Sequence, residues 1–433
     1  MKNPIAKTIL FAGFACLVLA GCQAKDQTIT EGTFKSLLKL TSSAAADDDV
    51  FGYALSFDGN YALAGAPGAN GTGTDQGAAF LFLKSQGGLD GWGQVKTLLA
   101  EDASDSDFFG VSVDISGDYA VIGAYGENGF GTDQGAAYVF YRNQGGADNW
   151  GQIKKLVASD KADNDEFGCA VSIDGDTILV GADSEDGAGT DRGAAYIFTK
   201  DLGGPDNWGQ VAKIISGNPG DVDQFGYSVS LQGDFALVGS PREDGLGTER
   251  GAAYLFSRDL GGTDAWGLVK KIVPSDPADD AWFATALAID GSLAVIGSAW
   301  DDGGGTNRGA AYVFGRGEGG ADNWGQIKKL TASDPSDSAM FGYNVSLDGT
   351  NIVVGAAWAN GGGTERGQAY LYAKDEGGTD SWGEVQRMRA SDAANGDLFG
   401  FATAILGDYI LVGAIDEDGA GSQRGAAYLF KKI

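Results

Sequence analysis

The chain has 433 residues, with 59 acidic against 30 basic side chains, a formal net charge of -29 and no histidine. That charge repels nucleic-acid phosphates and anionic lipid, and the lack of histidine removes the commonest general base and the commonest metal nitrogen ligand. Glycine is abundant at 72 residues without a Gly-X-Y period, which excludes collagen, and an apolar content of 43% suits a packed core and argues against disorder.

In chain order, Lys2 and Lys7 flank the start of the apolar run ILFAGFACLVLA, which has signal-peptide length and is short for a bilayer span. Leu19-Ala20-Gly21-Cys22 follows and resembles a bacterial lipobox. The resemblance implies cleavage before Cys22 and lipid on its thiol. Gln23 in place of Asp implies an address at the bacterial outer membrane or cell surface. The other reading is an ordinary cleaved secretory signal. Residues 1–21 are therefore expected to be a signal peptide and residues 22–33 a tether. Cys169 is the one cysteine beyond that region, so no disulfide links two cysteines of the folded part. It fills the position held by Tyr227, Tyr343 and Phe401 elsewhere, which reads as small apolar packing.

Next comes a repeat. The Phe of a Phe-Gly pair stands at Phe51, Phe109, Phe167, Phe225, Phe283, Phe341 and Phe399, always 58 residues apart, and only Ala284 replaces the following glycine. Gly65, Gly123, Gly181, Gly239, Gly297, Gly355 and Gly413 keep the same step, as do Trp92, Trp150, Trp208, Trp266, Trp324 and Trp382. Within one unit, FGVSVDI (Phe109–Ile115) alternates with a period of two and reads as a strand. SGD is a tight turn. YAVIGA (Tyr119–Ala124) is a continuous apolar run, GAAYVFY (Gly135–Tyr141) a third strand, and GQIKKLVA (Gly151–Ala158) a lysine-bearing outer strand. Four short strands per repeat predict a β-propeller.

The ends specify its closure. The last copy stops after its third strand, and residues 34–43 form an orphan fourth strand ahead of Phe51. The expected fold is all-β: a seven-bladed propeller over residues 34–433, its last blade completed by the N-terminal strand. Phe-Gly, a strand, then Gly-Ala or Gly-Ser-Pro resembles the FG-GAP repeat of integrin α-chain propellers and of bacterial cell-envelope proteins. Integrin-type repeats carry a calcium loop between the first two strands, where this chain has only SGD, DGD or QGD. No calcium ligand is therefore implied by the resemblance.

Antiparallel succession puts the second-to-third and fourth-to-first loops on one face, the upper one, and the SGD turn and GGADNW loop on the lower. The upper loops carry Asp102, Asp105 and Asp107, repeated as Asp160, Asp163 and Asp165. Two readings stand: Ca²⁺ ligands, since that ion takes six to eight oxygens, or turn caps and bridges, with Arg192, Arg250, Arg308, Arg366 and Arg424 pairing with a neighbouring loop. The tryptophan column reads as blade packing, with sugar stacking as the alternative. Binding is sought where the copies differ: Tyr125, Arg242 and the three tryptophans outside the column, Trp282, Trp300 and Trp358. Tyr125 and Arg242 are expected opposite Trp300 and Trp358 across a central depression. The functional expectation is a monomeric, non-catalytic module that binds a protein or glycan and meets the membrane only through its anchor. A polysaccharide hydrolase or lyase using upper-face carboxylates, and a scaffold in an envelope complex, are the alternatives. No cofactor is called for beyond that candidate Ca²⁺.

Overall fold

The computed structural model describes residues 33–433 except Leu89 and Phe130. The expected signal peptide, Cys22 and the expected tether up to residue 32 lie outside the described residues. From Phe34 onward the chain forms 28 strands in seven four-stranded antiparallel sheets. Each of the first six blades takes four consecutive strands. Blade 2 is typical: β6 (Ser112–Ser116), β7 (Tyr119–Ala124), β8 (Ala136–Tyr141) and β9 (Gly151–Leu156). The seventh runs β26 (Phe399–Leu406), β27 (Tyr409–Ala414), β28 (Ala426–Lys432), then β1 (Phe34–Leu40) as its outermost member. Phe34 pairs with Lys432 and Leu40 with Ala427, so the N-terminal strand closes the ring as expected.

Burial follows position within a blade. The second strand YAVIGA is buried along nearly its whole length and the third, AAYVFY, is buried up to its last residue. The fourth exposes its lysine face and carries a bulge, between Val139 and Phe140 in the register of blade 2. Charged outer edges of this kind keep strands from pairing with other chains. The tryptophan column is blade packing: Trp150, Trp208, Trp324 and Trp382 are each 1% exposed. Each ring bears on the blade before it, as Trp150 meets Tyr61 edge-on at 5.1 Å and Trp208 meets Tyr119 at 5.4 Å.

The constant Phe-Gly pair explains how blades approach one another. Phe109 donates its N–H to Gln76 O of the preceding blade, and Gly110 donates to Gly123 O within its own. Gly110 has φ +96°, and a Cβ there would run into the carbonyl oxygen of Ala78. A Cβ on Gly65 would in turn strike the carbonyl of Gly110. Two glycine columns thus let neighbouring blades touch backbone to backbone. This also corrects the first strand: β6 begins at Ser112 because Phe109 and Gly110 serve the inter-blade bridge. Ala284 keeps the left-handed backbone of the glycine it replaces, at φ +77°.

On the lower face, the turn residue of one blade accepts the glycine N–H of the next. Asp174 holds Gly233 at 2.6 Å, Asp290 holds Gly349 at 2.5 Å and Asp348 holds Gly407 at 2.6 Å. Ser116 and Gln232 do the same for Gly175 and Gly291. Leu406 occupies that place at the seam between blades 7 and 1 and has no acceptor to offer Gly59. Inside this ring the lower channel opens as a cavity of about 310 Å³, with an aliphatic collar that includes Ile115, Ile173 and Leu231.

Candidate functional site

The Asp-x-x-Asp-x-Asp motif comes apart into three separate jobs. Asp102 Oδ2 meets Lys155 Nζ at 2.6 Å, and its Oδ1 accepts the Tyr138 hydroxyl at 2.9 Å. Asp160 repeats this with Lys213 at 2.7 Å and Tyr196 at 2.9 Å. Burial pushes against these carboxylates, but the lysine and the phenol outweigh it and hold both below the usual range. Asp105 accepts the Thr74 N–H of the preceding blade at 3.0 Å, and Asp163 that of Thr132 at 3.1 Å. In later blades an arginine joins the same stitch: Arg192 to Asp221 at 2.8 Å, Arg250 to Asp279 at 2.6 Å, Arg308 to Asp337 at 2.8 Å. Asp107 and Asp165 cap their own loops, accepting the N–H of Ser104 and Ala162, each at 2.6 Å. The calcium reading therefore finds these side chains turned to protein partners. Among the described residues no three His, Cys, Asp or Glu gather into a group able to hold a metal ion.

The variable residues lie together around the upper end of the channel. One column fixes their aim. The residue before each Phe-Gly sits in the left-handed region: Val50, Phe108, Glu166, Gln224, Trp282, Met340 and Leu398, with φ between 49° and 56°. Each bonds its N–H to the preceding blade, as Trp282 does to Glu249 O at 3.2 Å. That step brings Trp282 back over blade 4. Arg242 therefore lies beside Trp282, its guanidinium 5.5 Å from the ring centre, and since Trp282 meets Trp300 it stands on the side of Trp300 rather than opposite it. Glu249 fixes both, accepting Arg242 Nε at 2.9 Å and Trp282 Nε1 at 2.8 Å.

From there an aromatic arc runs round the face. Trp282 meets Trp300 at 4.5 Å, Trp300 meets Tyr343 at 6.3 Å, and Tyr343 meets Trp358 at 4.8 Å. Phe401 touches Tyr343 at 5.0 Å and Tyr53 at 4.9 Å. Tyr125 lies apart from this arc, stacked on Phe108 at 5.2 Å. The tryptophans of the arc are half-buried, so each keeps an open face on a rigid support.

The FG-GAP repeat model matches residues 35–82, 92–140, 150–198, 208–256, 266–314, 324–372 and 382–430. The chain belongs to the FG-GAP repeat family. No curated protein matches it. The matched spans take in the upper loops that carry Tyr125, Arg242, Trp282, Trp300 and Trp358 and leave out most of each lower GGADNW-type loop.

At the throat of this FG-GAP ring the residue after Phe-Gly varies: Tyr53, Val111, Cys169, Tyr227, Thr285, Tyr343 and Phe401. Cys169, read from sequence as small apolar packing, is half-buried beside Asp183, and burial pushes its thiol well up. Asp183 is 6% exposed, and burial raises its carboxyl to about 6. Burial and then the charge of Asp183 raise Glu166 to about 7. Blade 3 thus carries an acidic notch of Asp183 and Glu166. Glu166, Tyr53 and Tyr227 were missed. The signal was available, because the two columns beside the constant Phe-Gly vary most in chemistry.

Proposed function

We propose that this FG-GAP propeller is a non-catalytic binding module, anchored through Cys22 at the bacterial outer membrane or cell surface, that recognises a protein or glycan through its upper face. One observation carries the reading. The sevenfold repetition holds at the blade interfaces and fails at the upper rim, where one column reads Gly126, Ser184, Arg242, Trp300 and Trp358 in successive blades and Trp282 and Tyr343 stand in two other variable columns. A scaffold serving only itself has no use for that difference, whereas half-buried aromatics on rigid loops suit recognition. The test is binding of the purified protein to arrays of envelope glycans and host-matrix proteins. Binding by the parent that the Trp300→Ala/Trp358→Ala variant loses supports the reading. Equal binding by that variant refutes it.

A second reading, a polysaccharide hydrolase or lyase, draws on Glu166 and Asp183, whose raised carboxyls are what a general acid needs. Release of reducing ends or unsaturated products from envelope polysaccharides, abolished by Glu166→Gln, would favour it over the binding module.

A further inference from the structure

The station where blade 4 meets blade 5 on the upper face is built unlike the other six. Arg242 donates Nε and Nη2 to one oxygen of Glu249, and the other oxygen takes Trp282 Nε1 at 2.8 Å. The guanidinium lies 5.5 Å from the Trp282 ring centre, and Trp282 meets Trp300 at 4.5 Å with the two indole planes inclined at 40°. The positions of Arg242, Glu249 and Trp282 recur at every blade boundary, and Arg242 is the single basic residue among their copies. Gly68 and Gly126 hold its place in blades 1 and 2, so the fold does not need a guanidinium there.

The pairing sets the chemistry that the station presents. Both Glu249 oxygens are engaged, whereas Arg242 has five N–H donors and gives two of them to Glu249. Its Nη1 meets no protein acceptor among the described residues, and the Arg242 side chain is 30% exposed. Trp300 is half-buried, with Trp282 and Tyr343 as its ring contacts. Free N–H donors, on a guanidinium whose charge Glu249 balances, thus stand beside the open side of an indole. Elsewhere the same positions carry acids, among them Asp133, Glu166 and Glu365.

We propose that this station seats an uncharged sugar ring of a glycan, its C–H face stacked on Trp300 and a hydroxyl accepting from Arg242 Nη1. A pyranose is apolar on its C–H face and carries hydroxyl acceptors at its edge, which matches an indole flanked by N–H donors. A carboxylated sugar would meet a guanidinium already paired, on a chain of net charge -29. A cationic ligand would meet Arg242 itself. The inference rests on the upper face being the binding face, and it chooses the glycan over the protein as what is bound there.

The probes are the methyl glycosides of glucose, galactose, mannose and N-acetylglucosamine, with the methyl glycoside of glucuronic acid as the anionic counterpart. They are titrated into the full chain and followed by saturation-transfer NMR, which reads the sugar protons that touch the rings. We expect at least one neutral glycoside to bind, with saturation on its C–H face, and the glucuronide to bind roughly tenfold more weakly. Arg242→Ala and Trp300→Ala should each weaken the neutral glycoside roughly tenfold, and Trp300→Phe should restore part of the loss. Glu249→Gln removes the balancing charge, so it should narrow the gap between the glucuronide and the neutral sugar. Loosening of the loop alone would not do that. Thermal melts establish that the variants fold, and Arg242→Ala, at a place that glycine fills in two blades, keeps the test open should Trp300→Ala fail to. The proposal is overturned if no neutral glycoside binds, or if Arg242→Ala binds as the parent does. If none binds while array binding still depends on Trp300 and Trp358, the sugar seat falls and the binding module stands as a receptor for protein. If a glycoside needs Arg242 and Trp300 while array binding ignores Trp300 and Trp358, the seat stands and the envelope reading falls.

Discussion

Lys155 Nζ bridges Asp102 and Glu127, at 2.6 Å and 2.8 Å. The first acid comes from the loop entering the blade and the second from its second-to-third loop, so one lysine pins two upper loops to the outer strand. Lys213 does the same with Asp160 and Glu185. We expect Asp102→Ala to destabilise the protein by about 1–2 kcal/mol, since it strips partners from both Lys155 and Tyr138. We expect a chelator to leave the parent's melting temperature unchanged. Calorimetric melts with and without EDTA check both, and a chelator-induced drop would restore the calcium reading.

The glycine contacts between blades predict opposite outcomes for opposite exchanges. Gly110→Ala places a methyl against the Ala78 carbonyl at a left-handed backbone position, and should cost several kcal/mol, on the order of 3. Ala284→Gly relieves φ +77° and should raise stability by up to about 1 kcal/mol. Urea unfolding midpoints of the two variants measure this. Stabilisation by Gly110→Ala would contradict the backbone-to-backbone approach.

The seam is the weak station of the lower ring. Leu406→Gln copies Gln232, which holds Gly291, and would offer Gly59 the acceptor it lacks. The gain should be about 0.5–1.5 kcal/mol. Hydrogen exchange should slow at the Gly59 amide specifically. A gain without that protection would point to removal of an exposed leucine instead, as Leu406 is 38% exposed.

Stability should peak on the acid side of neutrality. Burial raises Asp107, Asp165, Asp183 and Asp416 to about 6 and Glu166 to about 7. The folded state therefore holds these protons more tightly than the unfolded state. Their contribution is full below about pH 4 and is lost as the pH climbs through 6 to 7. Asp102, Asp160 and Asp392 lie below their usual values, so their contribution fails as the pH drops under about 4. Melting temperature should be highest between about pH 4 and 6. Asp183→Asn should gain roughly 1–3 kcal/mol at pH 8 and nothing at pH 4. A melting temperature that climbs steadily from pH 5 to 8 would contradict this.

The ring was legible in the sequence because closure demands sameness. Seven equal interfaces require equal spacing, so Phe51 through Phe399 announce both the repeat and its length, and the missing last strand announces how the ends join. The upper face was less legible. Sequence spacing groups Asp102, Asp105 and Asp107, but their partners Lys155 and Thr74 arrive from 53 residues ahead and 31 behind. Arg242 and Trp282 stand 40 residues apart in sequence, and the left-handed turn before Phe283 is what carries Trp282 back over blade 4. Asp183 is one divergent residue among several in the sequence, and its burial, which raises its carboxyl to about 6, is something no spacing encodes.

The way β1 closes the ring also fixes the face on which the described chain begins. Ile433 donates its N–H to Thr33 O at 3.1 Å, beside the lower turn of blade 7, where Lys432 meets Asp408 O. Thr33, the first described residue, therefore lies at the lower rim. A propeller moored through Cys22 would hang by that rim on a leash of roughly 40 Å at full stretch. Its aromatic arc and acidic throat would point to the surrounding medium, and its lower mouth back toward the surface that holds it.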